Sequence, residues 1–208
     1  MQLTDIQITP ELKGVIAVPD RQGPWPAVVM VHEIFGIDDA MRSQITRMAQ
    51  AGYVVLMPDL FSRGGARKCL TATFKALTNG AGQAFIDVED AKKLLLARPD
   101  TTKKVGAGMM PKNVDAALEG ACPIVGSFGA KDKQLAGATK TLQQVLTKKE
   151  IAHDIKEYPD TGHAFMNPHQ AGGPVFGTLL RITGAKPNPE AAADAWQRIE
   201  RFFGEHLS

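Results

Sequence analysis

The sequence predicts an α/β protein, a three-layer α/β/α domain built around a mainly parallel sheet. Short continuous apolar runs such as "AVVMVH" (27–32) and "YVVLMPD" (53–59) are typical of strands that are buried on both faces of a sheet. Amphipathic helical segments separate these runs, and strands that alternate with helices form βαβ units. At 208 residues the chain is expected to form a single domain over residues 1–208.

The remaining elements follow in order along the chain. The helix at 39–51 is predicted because Met41, Ile45 and Met48 share one face at helical spacing and Gly52 ends the pattern. The predicted strands are 12–19, 27–32, 53–59, a strand that begins at Lys103, 122–129 and 153–159. The predicted helices are 39–51, 84–100, 134–149 and 189–207.

The composition argues against several classes of function. The net charge is +2, with Lys and Arg interspersed among Asp and Glu, so no nucleic-acid-binding surface is expected. No apolar run approaches the ~20 residues that span a bilayer, and "MQLTDIQITP" lacks the features of a secretory signal. We therefore expect a cytoplasmic protein that does not bind membranes. Two cysteines make no disulfide framework, and no Cys/His spacing predicts a metal site or a cofactor.

Chemically useful residues follow three of the predicted strands, in "HEIFGID", "AKDKQL" and "TGHAFMN". Ligands of parallel sheets bind beyond the carboxyl ends of the strands. Asp132 and His163 follow the last two strands in the acid-then-histidine order of an α/β-hydrolase triad. In such a triad the histidine moves a proton between nucleophile and leaving group, while the acid fixes the histidine tautomer. The alternative for Asp132 is a cap at the start of the 134–149 helix.

Most of the chain resembles the dienelactone hydrolases of the α/β-hydrolase superfamily. The matching segments are "VVMVHEIFGID", "GYVVLMPDLFSRGG", "CPIVGSFGAKD", "IKEYPDTGHAFMN" and "AWQRIERFFGEHL". The resemblance implies an esterase or lactonase with a cysteine nucleophile, and it makes Asp132 and His163 the triad acid and base. Glu33 would contact the resting nucleophile, the Ile34 N–H would donate in the oxyanion hole, and Arg63 would help to hold a substrate carboxylate.

The first departure from the family pattern concerns the substrate. Where the family has a second substrate-binding arginine four positions after the histidine, this chain has Asn167. One arginine in place of two weakens the case for a small dicarboxylate-like lactone. The alternative for Arg63 itself is a solvated surface residue.

The second departure is the absence of the nucleophile elbow, the sharp turn that exposes the nucleophile and donates an N–H to the oxyanion hole. Neither G-x-C-x-G nor G-x-S-x-G occurs in the 208 residues. From Gly106 the chain passes almost directly to "MMPKNVDAALEGA", which in the family lies beyond the nucleophile's helix and one more strand. An elbow, a helix of about 11 residues and a strand of about 5 amount to roughly two dozen absent residues. The sheet is then expected to be one strand narrower than the family's.

Neither cysteine of the chain is expected to replace the missing nucleophile. Pro123 stands where the residue after a nucleophile would donate its N–H, and proline has none. Cys122 is therefore expected to be a small buried apolar residue. Cys69 lies in a long polar loop, and no motif places it near His163.

Two hypotheses about function follow from the sequence. The first is ester or lactone hydrolysis through a covalent intermediate on cysteine, which applies if the 208-residue sequence omits a segment that the protein possesses. The second is a catalytically inactive binding or scaffold protein that keeps a pocket formed by Glu33, Arg63 and His163. In both cases the expected partner is a small ester or lactone, with or without a carboxylate, and the expected state is a monomer or a dimer.

Overall fold

The computed structural model describes residues 2–33, 35–65, 69, 72–73, 76, 81–107, 118–119, 121–133, 135–168 and 186–207. The chain divides into two compact units, Met1–Lys112 with Leu207–Ser208 and Asn113–His206. Each unit contains its own sheet and helices. That the two units make up one hydrolase domain stays a prediction.

A five-stranded sheet forms the centre of the first unit, with the strand order β1-β2-β4-β3-β5. Its strands are β1 (Gln2–Thr9), β2 (Leu12–Val18), β3 (Trp25–Val29), β4 (Val54–Pro58) and β5 (Thr101–Ala107). β3 pairs in parallel with β4 and β5, whereas β1 and β2 extend the sheet with antiparallel pairs. The carboxyl ends of β3, β4 and β5 therefore lie at the same edge of the sheet.

Two helices in the described part of the first unit pack their apolar faces on this sheet. β4 is buried along its whole length, as expected for a strand covered on both faces. α1 (Asp39–Gln50) begins after Asp38, whose carboxylate accepts a hydrogen bond from the Met41 N–H at 3.0 Å. The side chains predicted to face the core from this helix are buried, namely Met41, Ile45 and Met48. α2 (Gln83–Ala97) contributes Val88, Ala91 and Leu95 to the core.

A parallel pair of strands, β6 (Ile124–Gly129) and β7 (His153–Tyr158), forms the sheet of the second unit. α3 (Ala138–Lys148) packs Leu142 and Leu146 against Phe128 of β6. α4 (Pro189–Leu207) closes the chain as the amphipathic helix that the sequence predicts. No helix in the ranges described above is both long and apolar enough to cross a membrane.

The buried side chain of Arg198 connects α4 to β6 and β7 by hydrogen bonds. Arg198 is 6% exposed, and its guanidinium donates to the Asp154 carboxylate at 2.6 Å and to the Ser127 hydroxyl at 3.1 Å. It also donates to the Tyr158 hydroxyl at 3.3 Å. These hydrogen bonds satisfy a guanidinium that would otherwise be costly to bury.

The α/β class and the order of the elements agree with the sequence prediction, but three details are corrected. The strands predicted for one sheet are hydrogen-bonded in two, with β3 and β4 in one sheet and β6 and β7 in the other. A strand belongs to a sheet only through hydrogen bonds with a neighbouring strand. Residues 108–117, which connect β5 toward the second unit's strands along the chain, lie outside the described residues. β1 was not predicted, and α3 begins at Ala138 because Gly137, with a φ of +77°, forms its cap.

Candidate active site

Asp132 and His163 form a hydrogen-bonded pair in the second unit. The distance from Asp132 Oδ2 to His163 Nδ1 is 2.7 Å. The Asp132 side chain is 4% exposed, whereas the His163 side chain is 46% exposed. An ionised carboxylate only accepts hydrogen bonds, so in the neutral imidazole the proton lies on Nδ1 and Nε2 has the lone pair. This is the tautomer in which an imidazole acts as a base toward a nucleophile or water.

The pair forms because the loops that leave β6 and β7 touch each other. The Lys131 N–H donates to the Thr161 carbonyl at 2.8 Å, and the Ala130 N–H donates to the Tyr158 carbonyl at 3.0 Å. Gly129 makes this approach possible, since a β-carbon there would lie 2.5 Å from the Gly162 carbonyl oxygen. Any side chain at residue 129 would have to push the two backbones apart.

The segment that holds His163 is itself well fixed. Thr161 is 2% exposed, and its hydroxyl donates to the Tyr158 carbonyl at 3.1 Å. Ala164 has a φ of +58°, a left-handed conformation that is unusual for alanine. The carbonyl of Ala164 accepts a hydrogen bond from the Asn167 N–H at 3.1 Å, which closes a turn directly after the histidine. Such strain next to an acid–base residue is typical of functional sites.

The alternative role of Asp132 as a helix cap is wrong. α3 begins six residues after Asp132, and its cap residue is Gly137. The Asp132 side chain reaches His163 instead, as the triad order predicts.

Glu33 lies in a tight turn after β3, in the first unit. Its carbonyl accepts hydrogen bonds from the Gly36 N–H at 3.0 Å and from His32 Nδ1 at 2.7 Å. Gly36 has a φ of +79°, which the turn requires and glycine adopts at no steric cost. Ile34, the predicted oxyanion donor, lies outside the described residues. The proximity of Glu33 to the acid–histidine pair stays a prediction.

His32 ties this turn to the loop after β4. The His32 side chain is 2% exposed, and its Nε2 accepts a hydrogen bond from the Leu60 N–H at 3.0 Å. Nδ1 must then carry the proton that it donates to the Glu33 carbonyl. The Phe61 ring packs edge-on against the imidazole, with 4.8 Å between the ring centroids. A cleft of about 710 Å³ opens beside the turn, with Gly36, Ile37 and Phe61 among its lining residues.

The Arg63 side chain is 26% exposed, and two carboxylates lie beside its guanidinium. Nη1 pairs with Glu11, and Nη2 lies 3.2 Å from Asp87 Oδ1. The Asp87 side chain is 3% exposed and also accepts a hydrogen bond from Gln83 Nε2 at 2.9 Å. Asn167, at the position of the second family arginine, is 4% exposed.

The prediction that Cys122 is buried is wrong. Cys122 is exposed, because it precedes β6 at the amino end of the strand and is not covered by the sheet. Asp132 and His163 follow the opposite, carboxyl ends of the parallel pair β6 and β7. Six residues of strand span about 20 Å, so Cys122 lies far beyond the reach of the His163 ring. Cys69 is a free, partly buried cysteine of the first unit.

Metal-binding side chains are not clustered in the part of the chain that the structure describes: no three His, Cys, Asp or Glu residues there are arranged to hold an ion. The second unit therefore presents the Asp132–His163 pair, and the first unit presents the Glu33 turn and the paired Arg63.

Comparison with known proteins identifies the family. The sequence model of the dienelactone hydrolase family matches residues 12–110 and 107–207. The chain belongs to the dienelactone hydrolase family. Its relatives include proteins named as carboxymethylenebutenolidases. One from Yersinia pestis is 27% identical and aligns over 94% of this chain and 84% of its own length. One from Azospirillum brasilense is 26% identical and aligns over 99% of this chain and all of its own length.

Solved structures show the same α/β-hydrolase fold. A protein described as a dienelactone hydrolase, from Klebsiella pneumoniae, has a TM-score of 0.71 at 22% identity and is covered over 98% of each chain. A dienelactone hydrolase-like promiscuous phosphotriesterase from metagenomic libraries has a TM-score of 0.75 at 18% identity. The match covers 100% of this chain and 98% of that one.

The alignments of this chain with the two relatives run over more positions than the chain has residues. The comparison with the Azospirillum protein runs over 238 positions but uses 99% of 208 residues, or about 206. About 32 aligned positions therefore have no residue in this chain. The two parts of the family match also meet at residues 107–110, directly after β5.

Two residues that shape the site were not predicted from the sequence. Asp87 lies on the buried face of α2 with Ala84, Ala91 and Leu95. The helical spacing of these residues could have indicated that Asp87 is buried. Gly129 ends β6 three residues before Asp132. Its place in the short segment "GSFGAKD", close before the acid, could have indicated that it matters for the position of Asp132. Both act through contacts between segments that are distant in sequence.

Proposed function

We propose that this chain carries the acid–base pair of an ester or lactone hydrolase, with His163 as general base and Asp132 as the acid that orients it. The observation that carries this proposal is the 2.7 Å hydrogen bond between a buried carboxylate and a half-exposed imidazole. Family membership supports hydrolysis of a small ester as the reaction class.

The histidine performs two proton transfers in this scheme. Nε2 first takes the proton of the nucleophile as it attacks the ester carbonyl, and the resulting imidazolium is stabilised by Asp132. The same proton is then given to the leaving alcohol, which leaves an acyl group on the nucleophile. The histidine repeats both transfers with water: Nε2 takes a proton from the water that attacks the acyl group and returns it to the nucleophile as the acid is released. Three further roles are assigned by resemblance. Glu33 would contact the resting nucleophile, and the Ile34 N–H would donate to the oxyanion. Arg63 would contact the substrate.

We further propose that the 208 residues lack the cysteine nucleophile. Three observations support this. The sequence has no elbow motif, and the two parts of the family match meet at residues 107–110. About 32 positions of the alignment with the Azospirillum protein have no residue in this chain. Cys122 is at the wrong end of β6. A histidine without a nucleophile can activate only water, and without the elbow it also loses one oxyanion donor.

The test of the acid–base assignment is to restore the missing segment. An elbow with a cysteine, a helix and a strand are inserted between Gly106 and Met109, and hydrolysis of p-nitrophenyl acetate is measured. Turnover is expected to require the new cysteine and His163, and Asp132→Asn should lower it by about 10²–10⁴. Turnover that survives His163→Ala would contradict the assignment.

A second candidate function is ligand binding without turnover. The missing elbow favours it directly, since the chain keeps the acid–histidine pair but has no group to form an acyl intermediate. A cytoplasmic location and a monomeric or dimeric state stay predictions. Saturable binding of an unreacted ester by the 208-residue chain, with no product released, is the result expected for this function.

A further inference from the structure

Arg63 is the residue that resemblance assigns to a substrate carboxylate, yet its guanidinium already has two carboxylate partners. Glu11 pairs with Nη1 from the turn between β1 and β2, and Asp87 pairs with Nη2 from α2. The three side chains thus join the turn, the loop after β4 and the helix.

The two carboxylates differ in how firmly they are held. Asp87 is 3% exposed and has a second donor in Gln83, so it stays beside Arg63. Glu11 is 74% exposed and contributes mainly its charge. The formal charge of the group is one positive and two negative, which leaves a net charge of −1. A ligand carboxylate that approaches Arg63 would compete with the firmly held Asp87 carboxylate and would meet the net negative charge of the group.

We propose that the substrate of this site is an uncharged ester or lactone, and that Asp87 sets this specificity by holding and neutralising Arg63. The inference rests on the proposed function, because the place of Arg63 beside the substrate comes from that assignment. Asn167 fits the same conclusion, since an amide adds no positive charge where the family has its second arginine.

The test compares two probes with the same phenyl glutarate skeleton, monophenyl glutarate, which carries a carboxylate at pH 7, and its methyl ester, which is uncharged. Their binding to the 208-residue chain is titrated by NMR, so that no turnover is needed. The uncharged ester is expected to bind at least roughly fivefold more tightly than the monoester. In Asp87→Asn this preference should fall roughly fivefold, because one negative charge is removed while the shape is kept.

Asp90→Asn is the matched control, since Asp90 lies on the same helix and pairs with Lys93 instead. It should leave the preference unchanged. If Asp87→Asn does not fold, Glu11→Gln removes a charge from the same group at an exposed position. Thermal unfolding of each variant checks that the fold is kept.

Three outcomes would overturn the inference: equal or tighter binding of the monoester to the parent chain, an unchanged preference in both charge-removing variants, or no binding of either probe. The proposed function is tested by a different experiment. It fails if the elbow-restored chain hydrolyses the ester without needing His163. The two proposals can therefore fail independently.

Discussion

The carbonyl oxygens of Thr161 and Gly162 lie where a β-carbon on Gly129 would have to be placed. The distances from that β-carbon would be 2.7 and 2.5 Å, and both obstacles are backbone atoms. A rotating side chain could move aside, but these carbonyls belong to the segment that carries His163. Gly129 therefore permits the close approach of the two loops that carry Asp132 and His163.

Gly129→Ala should separate the two loops and weaken the hydrogen bond between Asp132 and His163. The measurement is the low-field proton signal of the imidazole Nδ1–H, assigned by its absence in His163→Ala. We expect the signal to be lost or strongly broadened in Gly129→Ala, with a stability cost of about 1–3 kcal/mol from the forced backbone shift.

Gly126→Ala is the control, because it lies in the same strand but meets side chains. Its β-carbon would be 2.9 Å from the Ile155 methyl and 2.9 Å from the Phe128 ring, which can both adjust. This variant should keep the low-field signal even if it loses stability. An unchanged signal in Gly129→Ala would show that the two loops do not depend on this contact.

At this scale the sequence predicted the residues whose chemistry is distinctive and missed those that act by position. Asp132 and His163 follow strands in a known order, so their pairing was predicted before the structure. Asp87 looked like an ordinary helix residue, because its partner Arg63 is 24 residues away. Sequence spacing shows which face a residue occupies, but not which charge it meets there.

Among the elements, α4 is joined to β6 and β7 by the hydrogen bonds of Arg198. Hydrogen bonds from Arg198 lower the pKa of Asp154 below its ordinary value, and partial burial opposes this only in part. For Arg198, burial alone would lower the pKa, but its hydrogen bonds with Asp154 and Tyr158 outweigh that effect and raise it. Both groups thus stay charged in the folded protein.

Asp154→Asn should destabilise the second unit by about 1–3 kcal/mol at pH 7. Because the folded-state pKa of Asp154 is below its unfolded value, its stabilising contribution is present above pH ~4 and is lost as the pH falls through the folded pKa. The difference in unfolding free energy between parent and variant should therefore be constant above pH ~5 and shrink below pH ~4. Urea unfolding at several pH values measures it.

Asp160→Asn serves as the comparison, since Asp160 and its partner Lys131 are both largely exposed. Its effect is expected to stay within about 0.5 kcal/mol at all pH values. A parent–variant difference for Asp154→Asn that does not change between pH 7 and pH 3 would contradict the role of the ionised carboxylate.

The elements that were predicted best are those with strong local patterns. β4 and α1 carry continuous or periodic apolar residues, and both were found within one or two residues of their predicted ends. β1 was missed because "QLTDIQIT" is mostly polar and becomes a strand by antiparallel pairing with β2. Pairing with a distant segment leaves little trace in local sequence.

At the scale of the whole molecule, the described residues contain the hydrogen-bonded Asp132–His163 pair and two sheets. β5 pairs with β3 in one sheet, and β6 pairs with β7 in the other. The sequence prediction was a single sheet, one strand narrower than the family's. Local patterns indicate which strands exist, whereas the joining of sheets depends on long-range hydrogen bonds.

The central claim is that this chain has the base but not the nucleophile of a dienelactone hydrolase. It is tested most directly by the hydrolysis of p-nitrophenyl acetate by protein whose intact mass is verified at 22.4 kDa. The account predicts the same rate for the parent chain, for His163→Ala, and for the parent chain after thiol alkylation. Turnover that depends on His163 and is abolished by alkylation would contradict it, because a cysteine already present would then have to be the nucleophile.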